Sequence, residues 1–265
     1  MCTIAVLHGV HPEYPVIVAA NRDEAFGRPA TGPELLAREP VRVAGGRDLE
    51  RRGTWSGVAA TGLFVGVTNQ RTFRPPDPTR RSRGEVVLEA LRTGTVAGVE
   101  RYLRSLDPAA YNAFNLLYGE AGAFHVVYVR PEPAALELHA LAPGIHVLAN
   151  DRLGSKEFPK AERVLELVRP LATRRWPELA AGLAAALADH QLPPPERVPA
   201  PPTGSFLPAP AYRRLQAICI HTPAYGTRSS SIVALAPGRV AHYLATNGPP
   251  CTHAFEDFTA LLAGA

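Results

Sequence analysis

Apolar residues at the start of the chain follow the spacing of β-strands rather than that of helices. Residues 2–8 and 14–20 are short runs rich in aliphatic and β-branched side chains, separated by a turn that contains glycine and proline. This pattern predicts a β-hairpin, with the amino terminus held on a strand. Residues 54–60 and 63–69 flank Thr61-Gly62 in the same way, which predicts a second hairpin with a tight turn.

After residue 80 the apolar residues recur at helical spacing. Ser82 precedes a run whose apolar residues fall on one helix face, and Glu85 stands three positions later, as in a capping box. We therefore expect a helix over residues 82–91 and a second helix over residues 95–105, ending before Asp107-Pro108.

The rest of the chain repeats the order of strands followed by helices. Strands are predicted over residues 113–118, 123–130, 136–140, 145–149, 216–222, 229–236 and 239–246, helices over 156–168 and 177–188, and an apolar tail over 255–262. Residues 191–210 hold most of a proline-rich stretch, which is incompatible with regular helix or sheet and predicts a long loop.

Helices and strands thus occur in separate blocks, which predicts the α+β class rather than a doubly wound sheet. Two groups of strands and two pairs of helices fit a four-layer αββα sandwich, with two mainly antiparallel sheets between helix layers. No internal repeat and no linker between two cores is evident, so we expect a single domain over residues 1–265.

Composition narrows the class of protein. The net charge is +4, and 46% of residues are hydrophobic. The densest basic run, residues 79–83, is short and lacks interleaved aromatic residues, so we expect a solvated loop and no nucleic-acid partner. Three cysteines, an odd number, argue against a disulfide framework. Without a signal peptide or an apolar run of about 20 residues, we expect a cytoplasmic protein with no membrane span.

Cys2 directly follows the initiator methionine. One interpretation is a buried strand thiol, because cysteine is among the most often buried residues. The other is that Met1 is removed, so that one residue carries both a thiol nucleophile and a free α-amine as its base. We favour the second interpretation, because a chain terminus is a poor place for a thiol that serves only packing.

Several short motifs resemble one family. They are Asn21-Arg22-Asp23-Glu24, Gly46-Arg47-Asp48, Gly53-Thr54-Trp55-Ser56-Gly57, Thr68-Asn69-Gln70-Arg71, Ser82-Arg83-Gly84, and the segments 111–116, 144–150 and 225–230. Together, in this order, they resemble the NRDE family, whose eukaryotic members are the transport and Golgi organisation protein 2 proteins. The resemblance implies the αββα fold of N-terminal nucleophile hydrolases and, for the eukaryotic members, a role in haem or lipid-related trafficking.

A more distant resemblance implies a mechanism. The layout is similar to the choloylglycine hydrolases, cysteine amidases that begin Met-Cys and use an arginine, an aspartate, later asparagines and a further arginine. The implied catalytic residues are Cys2, Arg22, Asp23, Asn69, Asn150 and Arg228. Four more residues in the same motifs are expected to contact substrate: Asn21, Glu24, Trp55 and Thr227. The resemblance implies hydrolysis of a non-peptide amide or a related acyl group of a small molecule, without a metal or cofactor.

These residue types suit that chemistry. A free α-amine has a pKa of about 7.7 to 8.0, so it can accept the thiol proton near neutral pH. An arginine would favour the thiolate of Cys2, and an aspartate would hold the ammonium group. The side chain of Asn150 and the backbone N–H of Asn69 are candidate oxyanion donors, and each would lower the activation barrier by about 3 kcal/mol. Arg228 would place positive charge near the leaving group or the thiolate.

One spacing departs from the amidases, in which two residues separate the arginine from the aspartate. Arg22 and Asp23 are adjacent here. On a regular strand, Asn21 and Asp23 face one side while Arg22 and Glu24 face the other. We therefore expect irregular backbone at this point if Arg22 and Asp23 are both to act on Cys2.

Simpler interpretations remain for most of these residues. Residues 21–24 could form a charged turn, Asn69 and Asn150 could close Asx turns, and Arg228 could form a surface ion pair. The mismatch also keeps open an alternative function, a non-catalytic protein that binds or transports haem or an acyl-lipid.

A zinc site is the least favoured alternative. Cys219-x-His221 and Cys251-x-His253 share one spacing, and alternate strand residues face the same side, so four ligands could converge. The usual spacing of structural zinc sites is absent, however.

Overall fold

The computed structural model of the protein describes residues 2–205 and 207–263. Met1, whose removal we expect, lies outside the described residues. The strands are β1 (Cys2–His8), β2 (Val16–Ala25), β3 (Ala30–Ala37), β4 (Val43–Asp48), β5 (Ser56–Ala59), β6 (Phe64–Asn69), β7 (Phe114–Glu120), β8 (Ala123–Pro131), β9 (Ala134–Ala140), β10 (Gly144–Leu148), β11 (Tyr225–Ala236), β12 (Arg239–Ala245) and β13 (Glu256–Asp257). The helices are α1 (Arg83–Arg92), α2 (Val96–Arg104), α3 (Pro159–Val168), α4 (Trp176–Leu187) and α5 (Ala209–Arg214).

The strands form two antiparallel sheets. The first sheet has the order β10-β1-β2-β11-β12-β13, and the second runs from β3 to β9 in chain order. One hydrophobic cluster lies between the sheets, a second lies between the second sheet and α1 and α2, and a third lies between the first sheet and α3 and α4. The predicted α+β class and four-layer αββα sandwich are therefore confirmed.

Strand β1 shows how the sequence produces these layers. Ile4 and Val6 pack between the sheets, whereas Ala5 and Leu7 pack against the outer helices. Successive side chains of a strand point to opposite faces, so a strand covered on both faces is apolar at nearly every position. Because β1 lies inside the first sheet, its first residue, Cys2, is held in place by β2.

Two predictions about strands are wrong. Strands β3 and β4 were not expected, because every residue of β3 is half-buried, the strand contains Gly32 and Pro33, and its pairing with β4 shifts register. The predicted strand over residues 216–222 is instead a series of turns and bends. There the N–H of Cys219 donates to the carbonyl of Asp189, and an isolated bridge pairs His221 with Gly226 at the start of β11.

Helices α1 to α4 lie where the sequence predicts them, within a few residues at each end. The described residues of the proline-rich segment 191–210 are irregular apart from a 3-10 turn at Pro195–Arg197 and the start of α5. No helix in the described part of the chain is long and apolar enough to cross a membrane.

Candidate active site

The half-buried thiol of Cys2 lies in a cleft between the two sheets. The cleft has a volume of about 280 Å³. Its lining includes Cys2, Arg22, Glu24, Trp55, Asn69 and Arg83. Its walls come from the ends of β1 and β2, the segment before β5, the end of β6 and the start of α1. Residues that are far apart in sequence therefore meet at one end of the sandwich.

Strand β2 is regular at residues 21–24, contrary to our expectation of irregular backbone there. The register of β1 and β2 pairs Cys2 with Arg22, and the irregularity lies on β11, where Arg228 is an extra residue between Thr227 and Ser229. Arg22 and Glu24 face the cleft, while Asn21 and Asp23 face the outer helices. Adjacent residues of a strand point to opposite faces, and so do residues that are three positions apart. The adjacent pair therefore keeps the two-sided arrangement that the amidase spacing would give.

Burial dominates the electrostatics of Cys2. It raises the pKa of the thiol, and the Asp23 carboxylate raises it further. Among the described residues, the backbone N–H of Asp23 and the positive charge of Arg22 lower this pKa. A buried thiol of this kind is protonated at neutral pH and needs a base to become a nucleophile.

Asp23 is held on the opposite face of β2 by buried groups. Its Oδ1 accepts a hydrogen bond of 2.6 Å from the hydroxyl of Thr227, and its Oδ2 lies 3.8 Å from Nζ of Lys160. Burial raises the pKa of Asp23, and the charge of Lys160 partly reverses that shift. Lys160 is one of two lysines in the chain, and no motif in the sequence indicates a role for it.

The position of Lys160 is unfavourable for a positive charge unless the Asp23 carboxylate lies nearby. Its side chain is fully buried in the first turn of α3, where the helix dipole disfavours a cation. Burial lowers the pKa of Lys160, and Asp23 opposes this shift. Lys160 therefore contributes to the site by supplying positive charge next to Asp23, not by lining the cleft.

Arg22 and Trp55 stack in the cleft. The guanidinium carbon of Arg22 lies 4.1 Å from the centre of the Trp55 ring. Burial lowers the pKa of Arg22. Trp55 can pack here because residue 46 is glycine: a Cβ atom at residue 46 would overlap the indole ring.

Replacing Gly46 with alanine should therefore displace Trp55. We expect Gly46→Ala to lower the free energy of unfolding by about 2 kcal/mol, as overpacking does in well-packed sites. Urea denaturation followed by tryptophan fluorescence measures the loss of stability. Gly27→Ala is the matched control, because a Cβ atom at residue 27 meets no atom within 4 Å. Equal stability of the two variants would contradict this account of Gly46.

Arg83 is a second cleft arginine, and we assigned it no role from the sequence. It begins α1, whose first turn lies against the segment before β5: the N–H of Thr54 donates to the carbonyl of Gly84. Burial lowers the pKa of Arg83, while the charges of Glu24 and Cys2 favour the protonated form. Within residues 2–205 and 207–263, neither Arg22 nor Arg83 has a carboxylate oxygen within 4.0 Å.

Asn69 and Asn150 come together, but only Asn69 reaches the cleft. The side-chain amide of Asn150 donates to the carbonyl of Asn69 at 2.8 Å, and Asn150 is buried behind it. On β6, Val67 donates its N–H to Trp55 and Gln70 donates to Ala113. Because N–H groups alternate along an antiparallel strand, the N–H of Asn69 points the same way as that of Val67, away from β7. That direction suits an oxyanion donor.

Besides Asn150, the structure places three more of the predicted residues outside the cleft. Arg228 donates to the carbonyls of Ala25, Phe26 and Arg28 and so holds the turn after β2. The polar atoms of Asn21 and Thr227 are used within the protein, by α4, Ser230 and Asp23. Our predictions of a charge at the leaving group for Arg228 and of substrate contact for Asn21 and Thr227 do not fit this geometry.

A smaller space opens beside the cleft. This annex has a volume of about 150 Å³, shares Asn69, Arg83 and Asn112 with the cleft, and adds an apolar wall that includes Phe73, Leu207 and Tyr212. The cleft is charged and the annex is mainly apolar, so together they could hold a ligand with an anionic end and an apolar end.

The lining does not fit haem. Iron in haem proteins is held by histidine, cysteine, methionine or tyrosine side chains. Among the described residues, no histidine lines the cleft or the annex, and Cys2 is the only sulfur ligand there. The one tyrosine of the described lining, Tyr212, uses its hydroxyl in hydrogen bonds with Arg71 and with the carbonyl of Glu157.

Comparisons with known proteins match this chain to one family. Residues 1–245 match the model of the family described as Transport and Golgi organisation 2. The chain is 32% identical over 241 residues to the Transport and Golgi organization protein 2 homolog of Bos taurus, an alignment that covers 83% of this chain and 82% of the bovine protein. The human homolog is 28% identical over 236 residues, with the same shares covered.

Similar solved structures are amidohydrolases by name. Penicillin V acylase from Agrobacterium tumefaciens has a TM-score of 0.56 at 14% identity, covering 97% of this chain and 86% of the acylase. A mutant conjugated bile acid hydrolase from Clostridium perfringens has a TM-score of 0.55 at 12% identity, covering 100% of this chain and 95% of the hydrolase. These structures show that the fold is that of N-terminal nucleophile hydrolases, and the match over residues 1–245 shows that the chain belongs to the Transport and Golgi organisation 2 family.

Proposed function

We propose that the protein, once Met1 is removed, hydrolyses the amide bond of a small N-acyl compound whose amine part carries a negative charge. The observation that carries this proposal is the position of the Cys2 thiol in a cleft with two guanidinium groups, the buried Arg22 and the half-buried Arg83. Neither has an ion-pair partner among the described residues. A bound anion would offset the desolvation of both groups.

The chemistry would proceed in two steps. The free α-amine of Cys2 takes the thiol proton, and the sulfur attacks the carbonyl carbon of the amide. The backbone N–H of Asn69 donates to the resulting oxyanion. The proton then passes from the ammonium group to the leaving nitrogen as the C–N bond breaks, which leaves a thioester. In the second step water attacks the thioester, releases the carboxylic acid and restores the thiol.

Residues around the cleft would support these two reaction steps. The Asp23 carboxylate would stabilise the ammonium form of the amine, and Thr227 and Lys160 keep that carboxylate in place. The apolar annex would accept the acyl part of the substrate, while Arg22 and Arg83 bind the anionic amine part.

Three amides test the choice of substrate class: penicillin V and a glycine-conjugated bile acid, whose amine parts are anionic, and an N-acylethanolamine, whose amine part is neutral. We expect kcat/KM to be at least about 10-fold higher for the two anionic compounds, since one charge-assisted contact contributes about 1.5 to 3 kcal/mol.

The variant Arg83→Leu should remove this preference by lowering kcat/KM for the anionic compounds and sparing the neutral one. Arg92→Leu, on the same helix but exposed and paired with Glu89, is the matched control. If Arg83→Leu lowered the rates of all three compounds equally, the anion-binding role would be wrong. If none of the three were cleaved by protein that lacks Met1, the hydrolase assignment would fail for these classes of amide.

A further inference from the structure

A thiol and imidazole cluster lies outside the cleft. Its four residues are His190, after α4, Cys219 and His221, between α5 and β11, and Cys251, after β12. One potential ligand atom from each residue lies within 4.8 Å of the other three. Cys219 is buried and the other three residues are exposed, so the cluster is open to solvent on one side.

The spacing of these atoms is that of a tetrahedral metal site. Zinc binds thiolate sulfur at about 2.3 Å and imidazole nitrogen at about 2.0 to 2.1 Å, so in a tetrahedron two sulfurs lie about 3.8 Å apart and sulfur and nitrogen lie about 3.6 Å apart. Here the two sulfurs are 3.8 Å apart, and Nε2 of His221 lies 3.6 Å from Cys219 Sγ and 3.3 Å from Cys251 Sγ.

His190 completes the set in place of the residue expected from sequence. Its ring centre lies 4.9 Å from that of His221, and its Nδ1 lies 3.1 Å from the carbonyl oxygen of Cys219. A histidine ligand commonly donates one ring N–H to a backbone carbonyl, which leaves the other nitrogen for the metal. His253 is outside the cluster and pairs with the hydroxyl of Thr252.

We propose that His190, Cys219, His221 and Cys251 bind one Zn²⁺ ion. Two thiolates and two imidazoles form a typical donor set for this metal. The ion would join three loops that regular secondary structure does not hold together: the start of the proline-rich segment, the irregular segment before β11 and the loop after β12. The usual sequence spacing is absent because the ligands come from these three separate loops.

The zinc-bound loop would also support the candidate active site from behind. Next to Cys219, the N–H of Ile220 donates to the hydroxyl of Thr227, and that hydroxyl donates to Asp23. The proposal stands on the geometry of the cluster alone and does not depend on the proposed hydrolase activity.

The test is a zinc titration of the full-length protein, purified with a reductant and stripped of metal by a chelator. We expect one equivalent of Zn²⁺ to bind and the thermal midpoint to rise. Co²⁺ in the same site should give the thiolate charge-transfer absorption of a tetrahedral complex. Cys251→Ser and His221→Ala change exposed side chains and should not impair folding, yet each should weaken zinc binding by at least about 100-fold.

His253→Ala is the matched control and should bind zinc like the unmodified protein. The proposal would be overturned if the reduced protein took up less than one equivalent of zinc. It would also be overturned if zinc uptake were insensitive to both Cys251→Ser and His221→Ala, or if Cys219 and Cys251 formed a disulfide that persisted under reducing conditions and excluded the metal.

Discussion

Replacing Cys2 with alanine is expected to lower kcat for hydrolysis of an anionic N-acyl amide by at least about 10⁴-fold, because loss of the nucleophile removes the covalent step. The structure predicts little cost in stability, since Cys2 is half-buried at the end of β1 and its pairing with β2 is through the backbone. Steady-state kinetics and urea denaturation of the same preparations separate the two effects.

Protein that retains Met1 gives a sharper comparison than the alanine variant alone. It keeps the thiol but has no free α-amine at Cys2, and burial raises the pKa of that thiol. We expect its activity to be as low as that of Cys2→Ala. Ser105→Ala, at the exposed end of α2, should be fully active. Full activity in protein with Met1 intact would contradict the role of the α-amine.

Replacing Lys160 with methionine is expected to lower the free energy of unfolding by about 3 kcal/mol near neutral pH, because it removes the buried cation that lies 3.8 Å from the Asp23 carboxylate. Methionine has a similar length and is compatible with burial, so the loss of stability reports the charge. Lys156→Met, at the exposed second lysine, should change stability by less than about 0.5 kcal/mol.

The loss caused by Lys160→Met should depend on pH. Burial already raises the pKa of Asp23, and removal of Lys160 raises it further, because the lysine charge lowers it. Above the unfolded pKa of about 3.9, the folded variant then holds a proton that the unfolded chain does not. Stability of the variant should therefore fall as pH rises from about 4 through the raised pKa, and acid should restore part of it.

Urea denaturation at several pH values measures this dependence. The double variant with Asp23→Asn should recover stability relative to Lys160→Met, because the amide needs no counter-charge. A loss that is independent of pH and is not recovered by Asp23→Asn would show that Lys160 acts through packing rather than through its charge on Asp23.

Local patterns were sufficient to predict most of the framework. Strand β1 and helices α1 to α4 follow from apolar periodicity, because each element presents its apolar face to a neighbouring layer. The capping box predicted at Ser82 is wrong, since the Ser82 side chain makes no cap hydrogen bond with α1. Strands β3 and β4 carry no such signal, since β3 is uniformly half-buried and shifts register against β4. The segment 216–222 has the composition of a buried strand, but its backbone binds a loop and side chains.

The site could be predicted only in part, for a related reason. A regular β2 places Arg22 and Asp23 on opposite sides, and the structure shows this arrangement instead of the irregular backbone that we expected. The extra residue, Arg228, lies on β11, which pairs with β2. The spacing of residues 21–24 on β2 gives no information about β11. Lys160 reaches Asp23, and His190 reaches Cys219, only through tertiary packing, which local spacing cannot reveal.

We propose that Cys2, as the first residue of the processed chain, attacks the acyl group of an amide. Intact-mass and peptide mass spectrometry of the protein, quenched with acid during turnover of penicillin V, test it directly. The account predicts a protein that lacks Met1 and carries the phenoxyacetyl group as a thioester on Cys2, with no adduct in Cys2→Ala. A chain that retains Met1 and turns over the substrate, or an acyl group found on any other residue, would contradict it.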